Sequence, residues 1–212
     1  MRIRCLRKPL YWGTDGHHIK VMKYDYLDSV IKQFLYYKML GEQTFGQVSD
    51  EDLFWQHNPD GNSIATIVKH VAGNMLSRWT DFLTSDGEKE WRNRDAEFDN
   101  DLGSRAEMME LWERGWQTLM GTLNALSDSD LDQIIYIRNQ GHTVMEAINR
   151  QLAHYPYHIG QIVYIGKMMV SQWDSLSIPK GASGQFNADH FSQQQQRRHF
   201  TDEFLKDPGV EG

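Results

Sequence analysis

The chain has 212 residues, of which 40% are apolar and 12% aromatic, a composition that fits a globular domain with a core and excludes a disordered chain. Its formal net charge is −7. Residues 1–21 hold five Lys and Arg against Asp15, a net of +4, which leaves 17 basic against 28 acidic residues, a net of −11, in the rest. Because a nucleic-acid-binding surface needs a basic patch, this balance argues against that class of protein.

The start of the chain and its cysteine content bear on the compartment. Residues 1–21 lack the periodicity that begins after Met22, so we expect a leader or extension there, with the folded domain over 22–187. The basic start has no apolar segment behind it, which argues against a secretion signal. The sequence contains no run of about 18 apolar residues, so no membrane-spanning helix is predicted. Cys5 stands alone, so we expect no intramolecular disulfide and a cytoplasmic protein.

Hydrophobic periodicity predicts four long helices, each with one buried face. They run over about 25–46, 62–85, 104–126 and 143–172. The polar connection 86–103, between the second and third helices, is long enough to suggest that it packs or functions. A short extended segment with a turn is expected near 134–141. The predicted fold is therefore all-α, a four-helix bundle, followed by a flexible tail over 188–212.

One pair of histidines carries the strongest chemical signal. His154 and His158 are four residues apart in the last long helix, so both imidazoles leave the same face one turn apart. Two imidazoles in this relation can share a divalent metal ion. The pair also fits two core histidines hydrogen-bonded to neighbours, and the spacing alone favours neither interpretation. Pro156 lies between them, and a proline kink can aim the side chains or spoil their alignment.

A third imidazole is available on the second helix. His70, Asn74 and Arg78 follow one another at four-residue intervals, so they line one side of a helix that we expect to face the core. A lone His70 is more often a satisfied core residue, but a polar line of this kind is hard to explain by packing. His70 is the best candidate to complete a three-histidine site with one coordination position open. Imidazole suits zinc, nickel and iron, and the ligand set alone does not choose among them.

Two sets of polar residues are candidates for substrate contacts. Gln161 lies seven residues after His154, on nearly the same face, where it and Asn74 could hydrogen-bond a ligand. The end of the second helix and the long connection carry a charged cluster: Arg78, Asp81, Glu90, Arg92, Arg94 and Asp95. This cluster fits a salt-bridged surface and, equally, a rim that binds an anionic or zwitterionic substrate, because arginine grips carboxylates.

These motifs together resemble a known family. The element His154-Tyr-Pro-Tyr-His158-Ile-Gly-Gln161, with a histidine on an earlier helix, is similar to the DinB/YfiT-like superfamily of four-helix-bundle proteins regarded as metal-dependent enzymes. Four further stretches resemble the DUF1572 family within it: 67–79, 86–98, 148–154 and 177–183. The resemblance covers about 22–187, and Pro156 is a departure from it.

The resemblance implies a divalent metal ion, zinc or nickel, bound by His70, His154 and His158 in a bundle that often dimerises. Relatives with known activity use low-molecular-weight thiols as cosubstrates in transfer or isomerisation. We therefore expect a metal-dependent transferase or hydrolase that acts on a small molecule, with a low-molecular-weight thiol as a candidate. Asn74, Arg78 and Gln161 would orient the substrate.

Two other hypotheses remain open from the sequence. The first is a non-catalytic helical-bundle homodimer in which the histidines form a structural or vestigial metal site. The second is a DNA-linked binding protein, suggested only by the superfamily name. The charge of −11 on the body of the chain opposes the second.

Overall fold

The structure, a computed structural model, describes residues 26–205, which are mostly helical. The α-helices in this range are α1 (Tyr26–Phe45), α2 (Asp50–Leu53), α3 (Ile64–Trp79), α4 (Arg105–Ala125), α5 (Val144–Met169) and α6 (Ser183–Phe191). The strands β1 (Ile134–Ile137) and β2 (Gln140–Thr143) form an antiparallel hairpin in which Ile134 faces Thr143. Short 3-10 helices cover Asp95–Phe98, Asp128–Asp130 and Phe200–Glu203. No helix within residues 26–205 combines the length and the apolar character that a membrane crossing requires.

The four long helices enclose the core. Helix α3 packs against α4 and α5, and α1 packs against α5 and α4. Large aromatic side chains fill the space between them, and five are at most 1% exposed: Phe34, Trp79, Trp112, Trp116 and Tyr155. Each buried aromatic side chain removes about 150–250 Å² from water, so this cluster is a main source of the free energy of folding. The structure is thus mostly helical with one small two-stranded sheet, which is compatible with the predicted all-α class.

Local sequence signals set the starts of three long helices. Ser63, Ser104 and Thr143 precede α3, α4 and α5, and each side-chain oxygen accepts a hydrogen bond from a backbone N–H of the first turn. Such caps satisfy donors that have no partner within the helix. The predicted starts of these helices are confirmed to within a residue or two.

Helix α3 lies at the centre of the fold and ends earlier than predicted. The sequence predicts an end near residue 85, but α3 ends at Trp79 because Thr80 is extended and Asp81 takes a left-handed conformation with φ of 48°. Thirteen of the sixteen residues of α3 are buried. The polar side chains on this helix therefore need partners inside the protein.

The connection between α3 and α4 packs against the hairpin. The Gly87 N–H donates to the Tyr136 carbonyl at 2.8 Å. The Asp86 carboxylate accepts from the backbone N–H groups of Arg138 and Asn139 at 2.8 and 2.7 Å. These two turn residues have φ of 55° and 59°, the conformation of a two-residue hairpin turn. The prediction that this connection packs is confirmed, as is the predicted extended segment with a turn.

The described C-terminal residues return to α1. The 3-10 helix Phe200–Glu203 packs there, and the Tyr36 ring lies 5.8 Å from that of Phe200 and 5.3 Å from that of Phe204, centroid to centroid. The predicted domain limit at 187 falls within α6, and the flexible tail stays a prediction. The predicted leader, 1–21, lies outside the described residues.

Candidate metal centre

Helices α3 and α5 bring three imidazoles together. His70 lies in the middle of α3, and His154 and His158 lie one turn apart in α5. One ring nitrogen of each lies within 4.8 Å of the other two. The Nε2 atoms of His154 and His158 are 3.1 Å apart. All three histidines selected from the sequence therefore meet between two helices that are neighbours in the core.

Pro156 does not separate the two histidines of α5. The helix runs without interruption from Val144 to Met169 with the proline inside it. The ring centroids of His154 and His158 are 4.7 Å apart. A proline in a helix removes one backbone hydrogen bond and crowds the carbonyl four residues earlier, but here both imidazoles stay on one face.

Each imidazole is held at its Nδ1 atom by a side-chain oxygen. The three pairs are His70 with Glu97 (2.9 Å), His154 with Gln151 (3.2 Å) and His158 with Gln161 (2.8 Å). An oxygen acceptor needs the ring hydrogen on Nδ1, so in the neutral ring Nε2 carries the lone pair. Three lone pairs are thus gathered in one place.

Glu97 holds His70 and is itself held firmly. It lies in the 3-10 helix Asp95–Phe98 of the long connection and is 6% exposed. Arg92 donates two hydrogen bonds to its carboxylate, from Nε at 2.7 Å and from Nη2 at 2.9 Å. A carboxylate in this position fixes the orientation of a metal-binding imidazole and raises its basicity. No periodic pattern points to Glu97, because it lies in an irregular segment 27 residues from His70.

Gly73 gives the Glu97 carboxylate access to α3. A Cβ atom added to Gly73 would lie 2.8 Å from Glu97 Cδ and would also overlap one carboxylate oxygen. Phe98, the residue after Glu97, stacks on His70, with ring centroids 4.8 Å apart and 28° between the ring planes. The connection therefore packs closely over the first histidine.

The electrostatics of the site favour neutral imidazoles. Burial lowers the pKa of His154 to about 3, and nearby positive charges, that of His158 first, act in the same direction. Burial also lowers the pKa of His158, although the hydrogen bond to Gln161 opposes it. Burial alone would raise the pKa of Glu97, but its hydrogen bonds from the histidine and Arg92 outweigh burial, and the pKa is lowered. At neutral pH the site therefore holds His154 and His158 as neutral rings near a charged Glu97 carboxylate.

The three rings fit a divalent metal ion. Within the described part of the chain, Nε2 of His154 and Nε2 of His158 have no hydrogen-bond partner except each other. Two acceptors that face each other at this distance repel unless a proton or a cation lies between them. Neutral imidazole nitrogens are ligands for zinc, nickel and iron. Three protein ligands leave a coordination position free, as in catalytic zinc sites.

A chain of buried hydrogen bonds orients Asn74. Trp79 Nε1 donates to the Tyr155 hydroxyl at 2.9 Å, and this hydroxyl donates to Asn74 Oδ1 at 3.0 Å. Since an indole N–H can only donate, the hydroxyl must give its own hydrogen to Asn74. The amide oxygen is thereby turned toward Tyr155, and Asn74 Nδ2 remains as a donor.

A cavity of about 430 Å³ adjoins the three histidines. Polar side chains line it, among them Asn74, Gln151 and the five arginines Arg78, Arg92, Arg94, Arg138 and Arg150. These five arginines form an arginine cluster. The cavity is within the usual size range of small-molecule sites, about 300–1,000 Å³.

Two of the three predicted substrate-orienting residues line the cavity, and the third does not. Asn74 and Arg78 line the cavity, whereas Gln161 is not among the lining residues and holds His158 instead. Three acidic residues of the predicted rim are exposed and do not line the cavity: Asp81, Glu90 and Asp95.

Two arginines of the cluster did not stand out in the sequence. Arg150 lies one turn before His154 on α5, a four-residue spacing that was available as a signal. Arg138 comes from the hairpin turn, and only the packing of the hairpin on the connection brings it to the cavity. Helical periodicity can therefore identify Arg150, but it cannot identify Arg138.

The fold and the site define a mostly helical protein with a partly buried three-histidine cluster beside an arginine-lined cavity. Residues 22–182 match the model of the family described as Protein of unknown function (DUF1572). Since this match covers more than half of the chain, the protein belongs to the DUF1572 family. A comparison with curated proteins finds no match.

Proposed function

We propose that this protein is a divalent-metal-dependent enzyme of the DinB/YfiT-like superfamily, with His70, His154 and His158 as the metal ligands. The observation that carries the proposal is that an oxygen acceptor holds Nδ1 of each imidazole, which leaves each Nε2 lone pair for a metal. The lowered pKa values of His154 and His158 support it, because a metal binds the deprotonated nitrogen. Zinc and nickel are the proposed ions. The four long helices would form the superfamily's four-helix bundle.

A bound divalent ion would supply Lewis acidity to the group that completes its coordination. The residues of the chain would hold and orient. Glu97, Gln151 and Gln161 keep the imidazoles in position through their Nδ1 atoms, a supporting role that metal sites need. Asn74 offers an amide donor and Arg78 a positive charge at the cavity wall. We propose that these two orient the substrate.

The reaction class rests on the resemblance to the superfamily. We propose transferase or hydrolase chemistry on a small molecule, with a low-molecular-weight thiol as the candidate cosubstrate. A homodimer is a proposal on the same basis, and a cytoplasmic location is a proposal that rests on the single cysteine, Cys5.

The alternative is a non-catalytic bundle with a structural or vestigial metal site. Structural zinc sites are closed, with four protein ligands. Here the cluster found among the described residues has three histidines and adjoins a cavity. This difference favours the enzyme.

The first test is the metal content of full-length protein purified without a nickel column. We expect about one zinc or nickel ion per chain, and loss of that ion in His70→Ala and His154→Ala variants. Metal-free protein that takes up neither zinc nor nickel would overturn the proposal.

A second measurement separates the enzyme from the structural site. Thiol-transfer and hydrolytic substrates are tested with metal-loaded wild type and with His154→Ala. Turnover that is lost in the variant supports the enzyme. A fall of many degrees in the melting temperature of His154→Ala, with no turnover by wild type, supports the structural site.

A further inference from the structure

The arginine cluster carries more charge than its carboxylate partners neutralise. None of the residues that line the cavity is acidic. The carboxylates within ion-pair distance of the five arginines in the described structure are Glu88, Glu97 and Asp95. Five arginines against three carboxylates leave an excess of two positive charges within ion-pair distance. Since the whole chain has a net charge of −7, the positive cavity is a local feature that overall composition does not explain.

Arg150 is the cluster member without a carboxylate. It is exposed at the cavity wall, and no Asp or Glu among residues 26–205 lies within ion-pair distance of it. Its neighbour Arg78 is also positive. Burial lowers the pKa of Arg78, and the charge of Arg150 contributes to the lowering. Two like charges beside one cavity are unfavourable in the free protein, and an anion between them would relieve the repulsion.

Arg78 is a buried donor that is incompletely satisfied. Its side chain is 5% exposed, Nη1 donates to the Gly87 carbonyl at 2.9 Å, and Nε is buried without an acceptor in the described structure. A buried N–H of a charged group without a partner is unfavourable, because its lost hydration is not replaced. Asn74 Nδ2 also has no acceptor among the described residues, so it offers a further donor at this wall.

From these donors and charges we infer that the cavity is an anion subsite: Arg78 and Arg150, with Arg138 at its exposed edge, bind a carboxylate or phosphate group of a small substrate. The planar guanidinium fork suits both groups. Arg92 is not part of the subsite, because Glu97 and Glu88 already occupy its donors. The inference rests on the proposed function for the chemistry of the rest of the substrate, which this subsite holds beside the histidines.

The test is anion binding by the full-length, metal-loaded protein, measured by titration calorimetry at about 0.15 M ionic strength. The probes are inorganic phosphate, succinate and succinamide, the last a neutral analogue of succinate. We expect at least one anion to bind and succinamide not to bind. Tighter binding of phosphate identifies a phosphate-bearing substrate, and tighter binding of succinate identifies a carboxylate.

Arg150→Gln is the decisive variant, because an exposed side chain can be changed without loss of the fold. We expect it to weaken anion binding at least about tenfold, or about 1.4 kcal/mol. The matched control is Arg114→Gln, which removes the same charge from an exposed position on α4 outside the cavity lining. This control should change the affinity by less than about twofold.

Metal content, measured in parallel, separates the two proposals. Arg150→Gln should keep its metal while it loses anion affinity, and His154→Ala should lose its metal while the arginines still bind the anion. The anion subsite is wrong if Arg150→Gln and Arg114→Gln bind the anion with equal affinity. It is also wrong if anion binding is lost only in His154→Ala. If the protein binds no metal and Arg150→Gln still weakens anion binding, the metalloenzyme proposal is wrong and the anion subsite is supported.

Discussion

At the scale of single residues, the oxygens behind the histidines matter as much as the histidines. Gln151 lies three residues before His154, and Gln161 lies three residues after His158, so both glutamines face their partners on the same helix. The spacing of the four residues is therefore symmetric, three-four-three. Glu97 performs the same task for His70 from a separate segment. A variant that disturbs one of these oxygens should therefore weaken the proposed metal binding although all three histidines are kept.

Gly73→Ala tests this at the position where Glu97 approaches α3. The added methyl would lie 2.8 Å from Glu97 Cδ, so the carboxylate that holds His70 must shift. We expect lower stability by about 1–3 kcal/mol and weaker zinc binding by about tenfold or more. Urea unfolding and competition with a chelator measure the two effects.

Gly160→Ala is the matched control for this substitution. It is also inside a helix, but a Cβ there would meet nothing within 4 Å. Because alanine is favoured over glycine in helices by about 1 kcal/mol, this variant should be as stable as wild type or more so, with unchanged zinc affinity. If both variants bind zinc like wild type, the role assigned to the Glu97 contact is wrong.

At the scale of elements, the sequence predicts the helices better than the segment that completes the site. The long helices follow from apolar residues at 3–4 spacing, and their starts from Ser63, Ser104 and Thr143, because these signals are local. The three histidines could be selected because their helical spacing puts them on buried faces. Glu97 and Arg138 could not, since they lie in irregular backbone and reach the cavity through contacts distant in sequence.

The end of α3 was missed for a related reason. Phe82 is buried, so it continues the apolar pattern past the point where the backbone turns. The left-handed conformation of Asp81 redirects the chain, and Phe82 then packs on Trp79 with ring centroids 4.7 Å apart. An apolar residue that follows a turn is indistinguishable by periodicity from one that continues a helix.

Helix α5 carries two imidazoles into the interior, and this predicts a pH dependence for the metal-free protein. The pKa of His154 is lowered to about 3 in the folded protein from 6.5. Below pH 6.5 the unfolded chain therefore binds a proton that the folded protein does not. Stability from this residue is complete above pH 6.5 and declines as the pH falls toward 3. We expect the melting temperature of chelator-treated protein to fall between pH 7 and pH 5.

His154→Gln provides the comparison for this measurement. Glutamine does not titrate, so the decline between pH 7 and pH 5 should be shallower in the variant than in wild type. Parallel declines in the two proteins would contradict the assignment of the pH dependence to this imidazole.

At the scale of the whole molecule, the proposed metal ion would join α3 to α5 through the middle of the structure. Ligation of the folded state alone raises stability in proportion to the logarithm of ligand concentration, by about 2.7 kcal/mol at 100 times Kd. We expect added zinc or nickel to raise the melting temperature of metal-depleted wild type by several degrees and to leave that of a His70→Ala variant unchanged. An equal rise in both proteins would place the binding elsewhere, for example at His57, which is exposed.

The hairpin is a separable part of this arrangement. It contributes none of the three histidines, yet its two turn residues, clamped by Asp86, deliver the Arg138 side chain to the cavity wall. The proposed metal ligands thus lie on two helices. Arg138, a proposed substrate contact, lies in a separate two-residue turn. If the proposed anion subsite is correct, substitution of Arg138 would change substrate selectivity and leave the helices that hold the imidazoles as they are.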